Sequence, residues 1–262
     1  MVPLTADELA SVRHLLPPER PGPLVAQHVF ATGFGVCLAD RWPQPRTLVV
    51  ETGGNFTLAG DADALRPRDL IGRLAGFIEA PAPFVNLLRA AFDDVREWSR
   101  MIFTIDGPQD PAPAALDGVA VRRLGPRDAG ALAGLGPDSR WISETWGGAT
   151  GLAVSGTAWG AFVGERLAAV CCPFFVGDRY EDLGVVTEPT FRGRGHSMSC
   201  AAAVCQDVRR RGHTPTWTTS PDNAASLRVA AKLGATLCRH DRLYVVGVPI
   251  PRLAHPADHR PG

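Results

Sequence analysis

The sequence predicts an α+β fold in which helices flank a mixed, mostly antiparallel sheet. Short apolar runs with strand character alternate with segments of helical periodicity along the chain. Two hairpins are predicted, and hairpins pair their strands antiparallel. A segment rich in turn-forming residues at 106–115 separates two series of elements. With 262 residues and 45% hydrophobic content, the chain is long enough for two domains of ordinary size.

The first series of elements lies before the turn-rich segment, and we expect it to form a domain over residues 1–112. Its hairpin is predicted from two strand-like runs around Gly53-Gly54, and its first helix ends at Pro17-Pro18. In chain order, the expected elements are a helix at 7–16, a broken apolar run at 25–38, a hairpin at 47–51 and 55–59, helices at 67–79 and 83–97, and a strand at 101–105.

The second series follows the turn-rich segment, and we expect it to form a domain over residues 116–250, with a loose tail at 251–262. An antiparallel meander comes first, and helices and strands then alternate. In chain order, the expected elements are a strand at 119–124, helices ending at 135 and spanning 138–146, a hairpin at 158–163 and 167–176, a third strand at 180–187, a helix at 197–211, a strand at 216–219, a helix at 222–233, and a last strand at 243–248.

Charge and cysteine content exclude several classes of protein. Lys+Arg and Asp+Glu both number 27, so the chain has no overall basic field to attract nucleic acid or an anionic membrane. The six cysteines form no CxxC pair, so we expect reduced core thiols and no metal site. The N-terminus lacks a basic start and an apolar segment, and no apolar stretch approaches the ~20 residues of a membrane helix. We therefore expect a cytoplasmic protein with no membrane partner.

One loop carries the clearest chemical signal. A strand runs into Arg192-Gly193-Arg194-Gly195, which we call the glycine loop, and a helix follows directly at His196-Ser197. Glycines allow close approach of the backbone, and the amides and dipole of a helix N-terminus favour an anion. The two arginines can approach phosphates. Neither a dinucleotide GxGxxG unit nor a P-loop is present, so the loop predicts a different kind of phosphate site.

In this context the second series resembles the GNAT superfamily from Val119 to about Val248. The family's pyrophosphate loop reads Arg/Gln-x-x-Gly-x-Gly/Ala, and Arg192, Gly195 and Ser197 occupy its fixed positions, with serine in the last one. A later helix opens Asn-Ala-Ala-Ser at 223–226 and closes Lys-Leu-Gly-Ala at 232–235, in the family's order. The resemblance implies a GNAT fold. The first series has a compatible order without such a loop, so we expect a smaller, degenerate GNAT-like N-terminal domain.

The resemblance implies that acetyl-CoA or a related acyl-CoA is the co-substrate, with no metal. Its phosphates would bind the glycine loop, and its pantetheine arm would lie where the strands at 180–187 and 216–219 splay apart. The implied cofactor-binding residues are Val185, Val186, Thr187, Arg192, Gly193, Arg194, Gly195, His196, Ser197, Asn223 and Ser226. Asn223 and Ser226 also fit a simple helix N-cap, and both roles can hold together.

The catalytic residues are harder to assign. Direct aminolysis needs a base near the thioester. Glu181 and Asp182 point to opposite faces of their strand, so only one faces the cleft, and we favour Asp182. Glu144 is the second candidate base, and Ser226 completes the candidate catalytic set. Relatives often carry, at the position of Ala230, a tyrosine that protonates the departing thiolate. Because this chain has alanine there, the general acid is unassigned.

The sequence is compatible with three functions. The first is transfer of an acyl group from a CoA thioester to an amine of a small molecule. The second uses aminoacyl-tRNA as donor, which the balanced charge disfavours unless Arg192, Arg194 and the Arg209-Arg210-Arg211 cluster form a local patch. The third is a non-catalytic acyl-CoA sensor. We expect the N-terminal domain to pack on the second domain and close one side of the acceptor site; the alternative is a helper domain that only buries an edge strand.

Overall fold

The computed structural model of the chain describes residues 1–106 and 117–251. The predicted linker and tail therefore lie almost entirely outside the described residues. The strands are β1 Val2–Pro3, β2 Val36–Ala39, β3 Thr47–Thr52, β4 Asn55–Gly60, β5 Gly76–Glu79, β6 Arg96–Thr104, β7 Val119–Arg123, β8 Trp159–Val163, β9 Arg166–Val176, β10 Tyr180–Thr187, β11 Thr214–Thr219 and β12 Thr236–Val246.

Eight α-helices accompany these strands within the described residues. They are α1 Ala6–Val12, α2 Val25–Thr32, α3 Pro67–Leu70, α4 Ala82–Ala91, α5 Ala129–Ala133, α6 Ala149–Ser155, α7 His196–Arg210 and α8 Ala224–Lys232. Short 3-10 helices are also present at Arg13–Leu15, Ala62–Ala64, Pro126–Asp128, Arg140–Trp146 and Pro189–Phe191.

All twelve described strands form one sheet, in the order β1-β2-β3-β4-β5-β12-β6-β11-β10-β9-β8-β7. Only the pairs β4–β5 and β10–β11 are parallel, and the other pairs are antiparallel. The predicted mixed, mostly antiparallel sheet is confirmed.

The two series of elements have the same order. Each begins with a strand and two helices, continues with three antiparallel strands, and ends helix, strand, helix, strand. The parallel pair β4–β5 in the first series occupies the place of β10–β11 in the second. The helix between the paired strands differs, because α3 has 4 residues and α7 has 15. The first half therefore repeats the topology of the second without its long central helix.

The last strand of each series lies within the other half of the sheet. Strand β6, from the first series, lies between β11 and β12, while β12 lies between β5 and β6. The two halves thus exchange their final strands and share a continuous ladder of hydrogen bonds.

Helices cover both faces of the sheet. One face packs against α3, α4, α7 and α8, through apolar clusters around residues such as Leu88 and Val204. We call it the α7 face. The other packs against α1, α2, α5, α6 and the 3-10 helix Arg140–Trp146, and we call it the α2 face.

Two predicted helices were wrong in part. The predicted helix at 67–79 ends after one turn, and Gly76–Glu79 is a strand instead. Gly72 and Gly76 have φ of +75° and +153°, which breaks the helix, and the closeness of the chains at Gly76 leaves no space for a Cβ beside the Gly54 carbonyl. The helix predicted at 83–97 ends at Ala91, and β6 begins at Arg96. Helix α6 was not predicted.

The N-terminal half packs directly on the second half. His28 of α2 is fully buried, and its Nε2 lies 2.8 Å from the Thr145 carbonyl oxygen, while its Nδ1 accepts a hydrogen bond from the Val176 amide at 3.2 Å. The Glu19 carboxylate accepts three backbone amides of the β9–β10 turn, at residues 178–180, each at 2.9 Å. These contacts bind the N-terminal segment to the meander that leads to the glycine loop.

The structure also bears on the cysteines and on membrane association. Five cysteines are buried, but Cys238 is exposed, since it lies at an irregularity of β12. In the described part of the chain, no three or more His, Cys, Asp or Glu side chains are grouped to hold a metal ion. Across residues 1–106 and 117–251, no helix combines the length and the apolar character needed to cross a membrane.

Candidate active site

A cleft opens where β10 and β11 separate. Their parallel pairing runs only from Tyr180 with Thr214 to Leu183 with Trp217. The pairing of β10 with β9 continues further, to Thr187. The backbone of Val185, Val186 and Thr187 therefore lies beyond the last pair with β11, as predicted for strands that splay apart. Unpaired strand amides and carbonyls can hydrogen-bond an extended ligand arm.

The glycine loop closes one end of this cleft. It connects the 3-10 turn after β10 to α7, which begins at His196. Gly193 and Gly195 have φ of +77° and +84°, a conformation that L-residues rarely adopt. The loop is exposed, and no side chain caps the first amides of α7. The arrangement leaves amide donors and a helix dipole available for an anion, as expected for a phosphate site.

The side chains around the loop differ in their surroundings. Arg192 Nε donates to the Thr187 carbonyl oxygen at 3.2 Å, which ties the loop to the end of β10. Arg194 is exposed. His196 is only 4% exposed, and neither ring nitrogen has a hydrogen-bond partner among the described residues. Burial, and to a smaller extent the charge of Arg194, lower the pKa of His196, so its ring is neutral near pH 7. Ser197 is partly buried in the first turn of α7.

Asn223 and Ser226, which are predicted to lie beside the cleft, form hydrogen bonds with other residues of the chain. Asn223 Oδ1 accepts the Ser226 amide at 3.0 Å and thus caps α8. Ser226 Oγ accepts Trp217 Nε1 at 2.9 Å. The capping interpretation is therefore confirmed for Asn223, while Ser226 still has a hydroxyl proton to donate.

Asp182 lies on the α2 face beside the cleft and is 5% exposed. Its Oδ1 accepts hydrogen bonds from Thr216 Oγ1 at 2.7 Å and Thr218 Oγ1 at 3.0 Å. Burial raises the pKa of Asp182 to about 6, and the two hydroxyl donors and the charges of Arg100 and Arg239 oppose that rise. A carboxylate with this pKa is ionised at neutral pH and basic enough to accept a proton.

Glu181 points to the opposite face, as strand alternation predicts. It is 1% exposed and binds Arg211 Nη2 at 2.6 Å and His213 Nδ1 at 2.8 Å. Both carboxylate oxygens of Glu181 are thus held at the C-terminal end of α7, away from the cleft.

The 3-10 helix Arg140–Trp146 borders the α2 side of the cleft. Trp141 is 37% exposed and lies against Gly184, where an added Cβ would come within 3.3 Å of its ring. Glu144 is exposed on the same helix, and partial burial of its carboxyl group raises the pKa of Glu144. Trp146 is a core residue, since it is 5% exposed and donates to the Pro173 carbonyl oxygen at 2.8 Å.

The surroundings of Ala230 and of the arginine cluster at 209–211 are also clear in the structure. Ala230 is 1% exposed and packs in the core beside α7, so no acid is present at that position. The Arg209-Arg210-Arg211 cluster makes internal contacts. Arg209 donates to the Ile105 carbonyl oxygen, Arg210 pairs with Asp207, and Arg211 pairs with Glu181.

Sequence reasoning missed Arg100 of β6, which also lies on the α2 face. Its Nη2 donates to the Thr218 carbonyl oxygen at 3.2 Å, and its guanidinium carbon lies 4.0 Å from the centroid of the Trp98 ring. Burial lowers the pKa of Arg100 to about 10. The alternating Trp98-Ser99-Arg100 pattern was available as a signal, but the helix predicted at 83–97 placed the start of the strand too late.

Comparison with known proteins adds to this geometry. A family model described as GNAT acetyltransferase matches residues 138–242. The chain is 40% identical over 215 residues to an uncharacterised N-acetyltransferase from the mutA 5′ region of Streptomyces virginiae, and the match covers 81% of this chain and 90% of that relative.

Two solved structures resemble nearly the whole chain. A GCN5-related N-acetyltransferase-like protein from Streptococcus suis 89/1591 superposes with a TM-score of 0.69 at 17% identity, over 92% of this chain and 98% of that one. A tandem GNAT protein from the clavulanic acid biosynthesis pathway superposes with a TM-score of 0.58 at 14% identity, over 95% of this chain and 99% of that one. At these identities the matches show a shared fold that includes both series of elements.

Proposed function

This chain belongs to the GNAT acetyltransferase family and is an N-acyltransferase, and on that premise we propose that it moves an acetyl or other short acyl group from a CoA thioester directly to an amine of a small molecule. The predicted GNAT fold, with a GNAT-like first half that lacks the glycine loop, is confirmed. Donor and acceptor are the parts of the function that we propose.

One observation carries the choice of donor. The uncapped N-terminus of α7, opened by Gly193 and Gly195, lies at the end of the strands that border the cleft. A pyrophosphate fits the amides of such a helix start, and the exposed Arg192 and Arg194 can add charge. An extended arm can then follow the backbone of β10 that is unpaired with β11, from Thr187 to Gly184, which lies two residues from Asp182.

In the reaction we propose, Asp182 accepts a proton from the acceptor amine as its nitrogen bonds to the acyl carbon. The carbon–sulfur bond breaks and CoA leaves as a thiolate; solvent supplies the proton that makes it a thiol and takes up the proton held by Asp182. Ser226 keeps a hydroxyl proton for a hydrogen bond to the departing sulfur, because its oxygen already accepts from Trp217. This hydrogen bond would stabilise the leaving thiolate, since Ala230 offers no acid to protonate it.

The other two functions have less support. A tRNA donor would need a basic surface, and the three arginines of the 209–211 cluster are engaged in contacts within the chain. A sensor without catalysis would not need a buried carboxylate beside the cleft, whereas the pKa of Asp182 at about 6 suits a base.

We also propose that the N-terminal half closes one side of the acceptor site. The β3–β4 turn packs against the 3-10 helix of the second half, so that a Cβ at Gly53 would lie 3.0 Å from Glu144. Thr52 Oγ1 donates to the Thr145 carbonyl oxygen at 3.2 Å. Both contacts position the helix that carries Trp141 and Glu144, which supports a wall shared by the two halves.

Thermal denaturation with acetyl-CoA tests the donor site. A ligand that binds only the folded protein raises its Tm, and we expect such a shift for the wild-type chain. Gly195→Asp should abolish the shift, because it places a negative charge beside the phosphates. Gly195→Asn is the matched control, since both residues tolerate a left-handed backbone but asparagine is neutral, and it should retain a larger part of the shift. An equal, full shift in both folded variants would place the cofactor elsewhere.

A further inference from the structure

Arg100 is a mostly buried cation without an anionic partner. Its single hydrogen bond to a described residue goes to the Thr218 carbonyl oxygen, and its Nε is buried with no partner among the described residues. No carboxylate of residues 1–106 or 117–251 lies within the 4.0 Å of an ion pair. A buried charge is costly unless it is paired, so an unpaired guanidinium at this position calls for an explanation.

Neighbouring ionic groups on the α2 face are already paired with one another. Arg239 of β12 donates to the Pro21 carbonyl oxygen at 2.6 Å and to Asp241 at 3.0 Å. Arg20 links Asp241 at 3.3 Å to Glu79 at 3.2 Å. These contacts use the carboxylates of Asp241 and Glu79. They leave Arg100 without a carboxylate of the described residues at ion-pair distance, although Asp182 and Asp222 act on it from further away.

The position of Arg100 relates it to the reacting groups. It contacts Thr218, which lies one residue beyond the last β10–β11 pair and whose hydroxyl binds Asp182. The negative charges of Asp182 and Asp222 both act on Arg100, although neither reaches it. Arg100 therefore lies beside the point where β11 separates from β10, one strand from the cleft and on the same face as Asp182.

We propose that Arg100 binds a carboxylate carried by the acceptor amine, so that the acceptor belongs to the class of amino acids and related amines that bear an acid group. This inference rests on the proposed acyl transfer. A guanidinium can donate up to five N–H groups, and Arg100 uses one of them, on Nη2, in a hydrogen bond to a described residue. The carboxylate at Arg100 would hold the amine on the α2 face, where Asp182 accepts its proton.

Matched acceptors test the proposal. Purified full-length protein is incubated with acetyl-CoA and a pool of α-amino acids, β-amino acids and dipeptides, each present as the free acid and as its primary amide. Mass spectrometry then measures acetylation of each member. We expect products from free acids, with the amide of the same amine used about 10- to 100-fold less well, the range for loss of one charge-assisted contact.

Variants assign the preference to Arg100. In Arg100→Met, kcat/KM for the best acid should fall about 10- to 100-fold, mainly through KM, while that for its amide stays within about threefold. Arg242→Met is the matched control, because Arg242 is an exposed arginine of β12 that pairs with Glu97, and it should behave as wild type. Arg100→Lys should keep part of the preference, since it retains the charge.

Three results would overturn the proposal. The first is acetylation of the amides at least as fast as of the acids, and the second is the absence of any acetylated acid. The third is an equal fall in kcat/KM for acid and amide in Arg100→Met, which would mean that Arg100 acts through Asp182. The Tm shift with acetyl-CoA separates these failures from failure of the proposed function. A wild-type shift with no acid preference rejects only the acceptor class, whereas absence of the shift rejects the donor.

Discussion

Asp182 combines burial with a specific set of partners, and that combination gives it a testable pH dependence. Its side chain is buried, which disfavours the charged form of the carboxyl group. Thr216 and Thr218 donate hydrogen bonds to the charged form and therefore favour it. The net effect raises the pKa of Asp182 from 3.8 to about 6. As the proposed base, Asp182 should therefore be protonated and inactive below about pH 6.

Replacing the base should reduce turnover and remove the acidic limb of the pH profile. Asp182→Asn keeps the shape and the acceptor oxygen for both threonines but cannot take a proton. We expect kcat to fall about 100- to 10,000-fold, with a nearly unchanged Tm shift for acetyl-CoA. The measurements are kcat against pH from 5 to 8 and thermal denaturation with the cofactor. Full activity in Asp182→Asn together with loss in Glu144→Gln would move the base to the 3-10 helix.

A second variant checks the origin of that limb. Thr218→Val removes a hydrogen bond that lowers the pKa of Asp182, so the pKa should rise and the acidic limb should move to higher pH. A limb that stays in place or moves to lower pH would show that another group controls it.

The sequence predicted part of this site because its signals are local. Alternation along β10 separated Asp182 from Glu181, and the glycine loop and α8 motif indicated where we propose that the cofactor binds. Arg100 could not be found in the same way. It comes from the first series, more than eighty residues from Asp182 along the chain, and only the pairing of β6 with β11 brings the two together. Local patterns do not report such pairing.

At the scale of elements, helices and strands with a clear periodicity were predicted correctly. Predictions were wrong where pairing with neighbouring strands determines the secondary structure. The hairpin β3–β4 and helix α7 have clear periodicity and were predicted closely. In contrast, β5 has four residues and depends on its neighbours β4 and β12. Its apolar residues also fit a helix, since periodicity alone separates short strands and helices poorly.

Helix α2 joins the two halves through a neutral histidine. His28 holds the 3-10 helix and the end of β9 with its two ring nitrogens. Nε2 donates to the Thr145 carbonyl oxygen, and only an uncharged ring leaves Nδ1 free to accept from the Val176 amide. Burial lowers the pKa of His28 from 6.5 to about 4, against a smaller opposing effect of the Thr145 carbonyl. Protonation should thus weaken the contact between the halves.

The stability of the protein should therefore decrease from pH 6.5 to pH 4 through His28. In that window the unfolded chain binds a proton at this residue while the folded chain does not, so acid favours unfolding, by about 3 kcal/mol in total. Urea denaturation at several pH values measures the effect. His28→Gln should be less stable at pH 7 but should lack this component of the slope. Identical slopes in both proteins would contradict the assignment.

Asp182 contributes to stability with the opposite sign. Its pKa is raised in the folded state, so its protonation stabilises the fold as pH falls from about 6 to 3.8. The two residues partly cancel in the wild-type protein. The comparison of each variant with wild type, rather than the wild-type curve alone, isolates one group.

At the scale of the molecule, the exchange of β6 and β12 decides how the halves depend on each other. Strand β6 pairs with β11 over 101–104 and with β12 along its whole length. Without β6, β11 and β12 of the second half would each have an unpaired edge, and the strand that carries Arg100 would be missing from the sheet. In the intact protein, we therefore expect the predicted domains, 1–112 and 116–250, to fold and unfold together as one cooperative unit.

Cleavage between the halves tests this dependence. A protease recognition site inserted between residues 110 and 111 allows the chain to be cut after folding. Because β6 stays between β11 and β12, and β12 stays beside β5, we expect both fragments to elute together in native gel filtration and to keep the Tm shift with acetyl-CoA. They should separate in denaturant. A chain of residues 116–262 made alone should fail to fold or bind acetyl-CoA. A folded, cofactor-binding 116–262 fragment, or separation of the cut halves in native buffer, would show that the second half can complete its own sheet and that the exchange is not required.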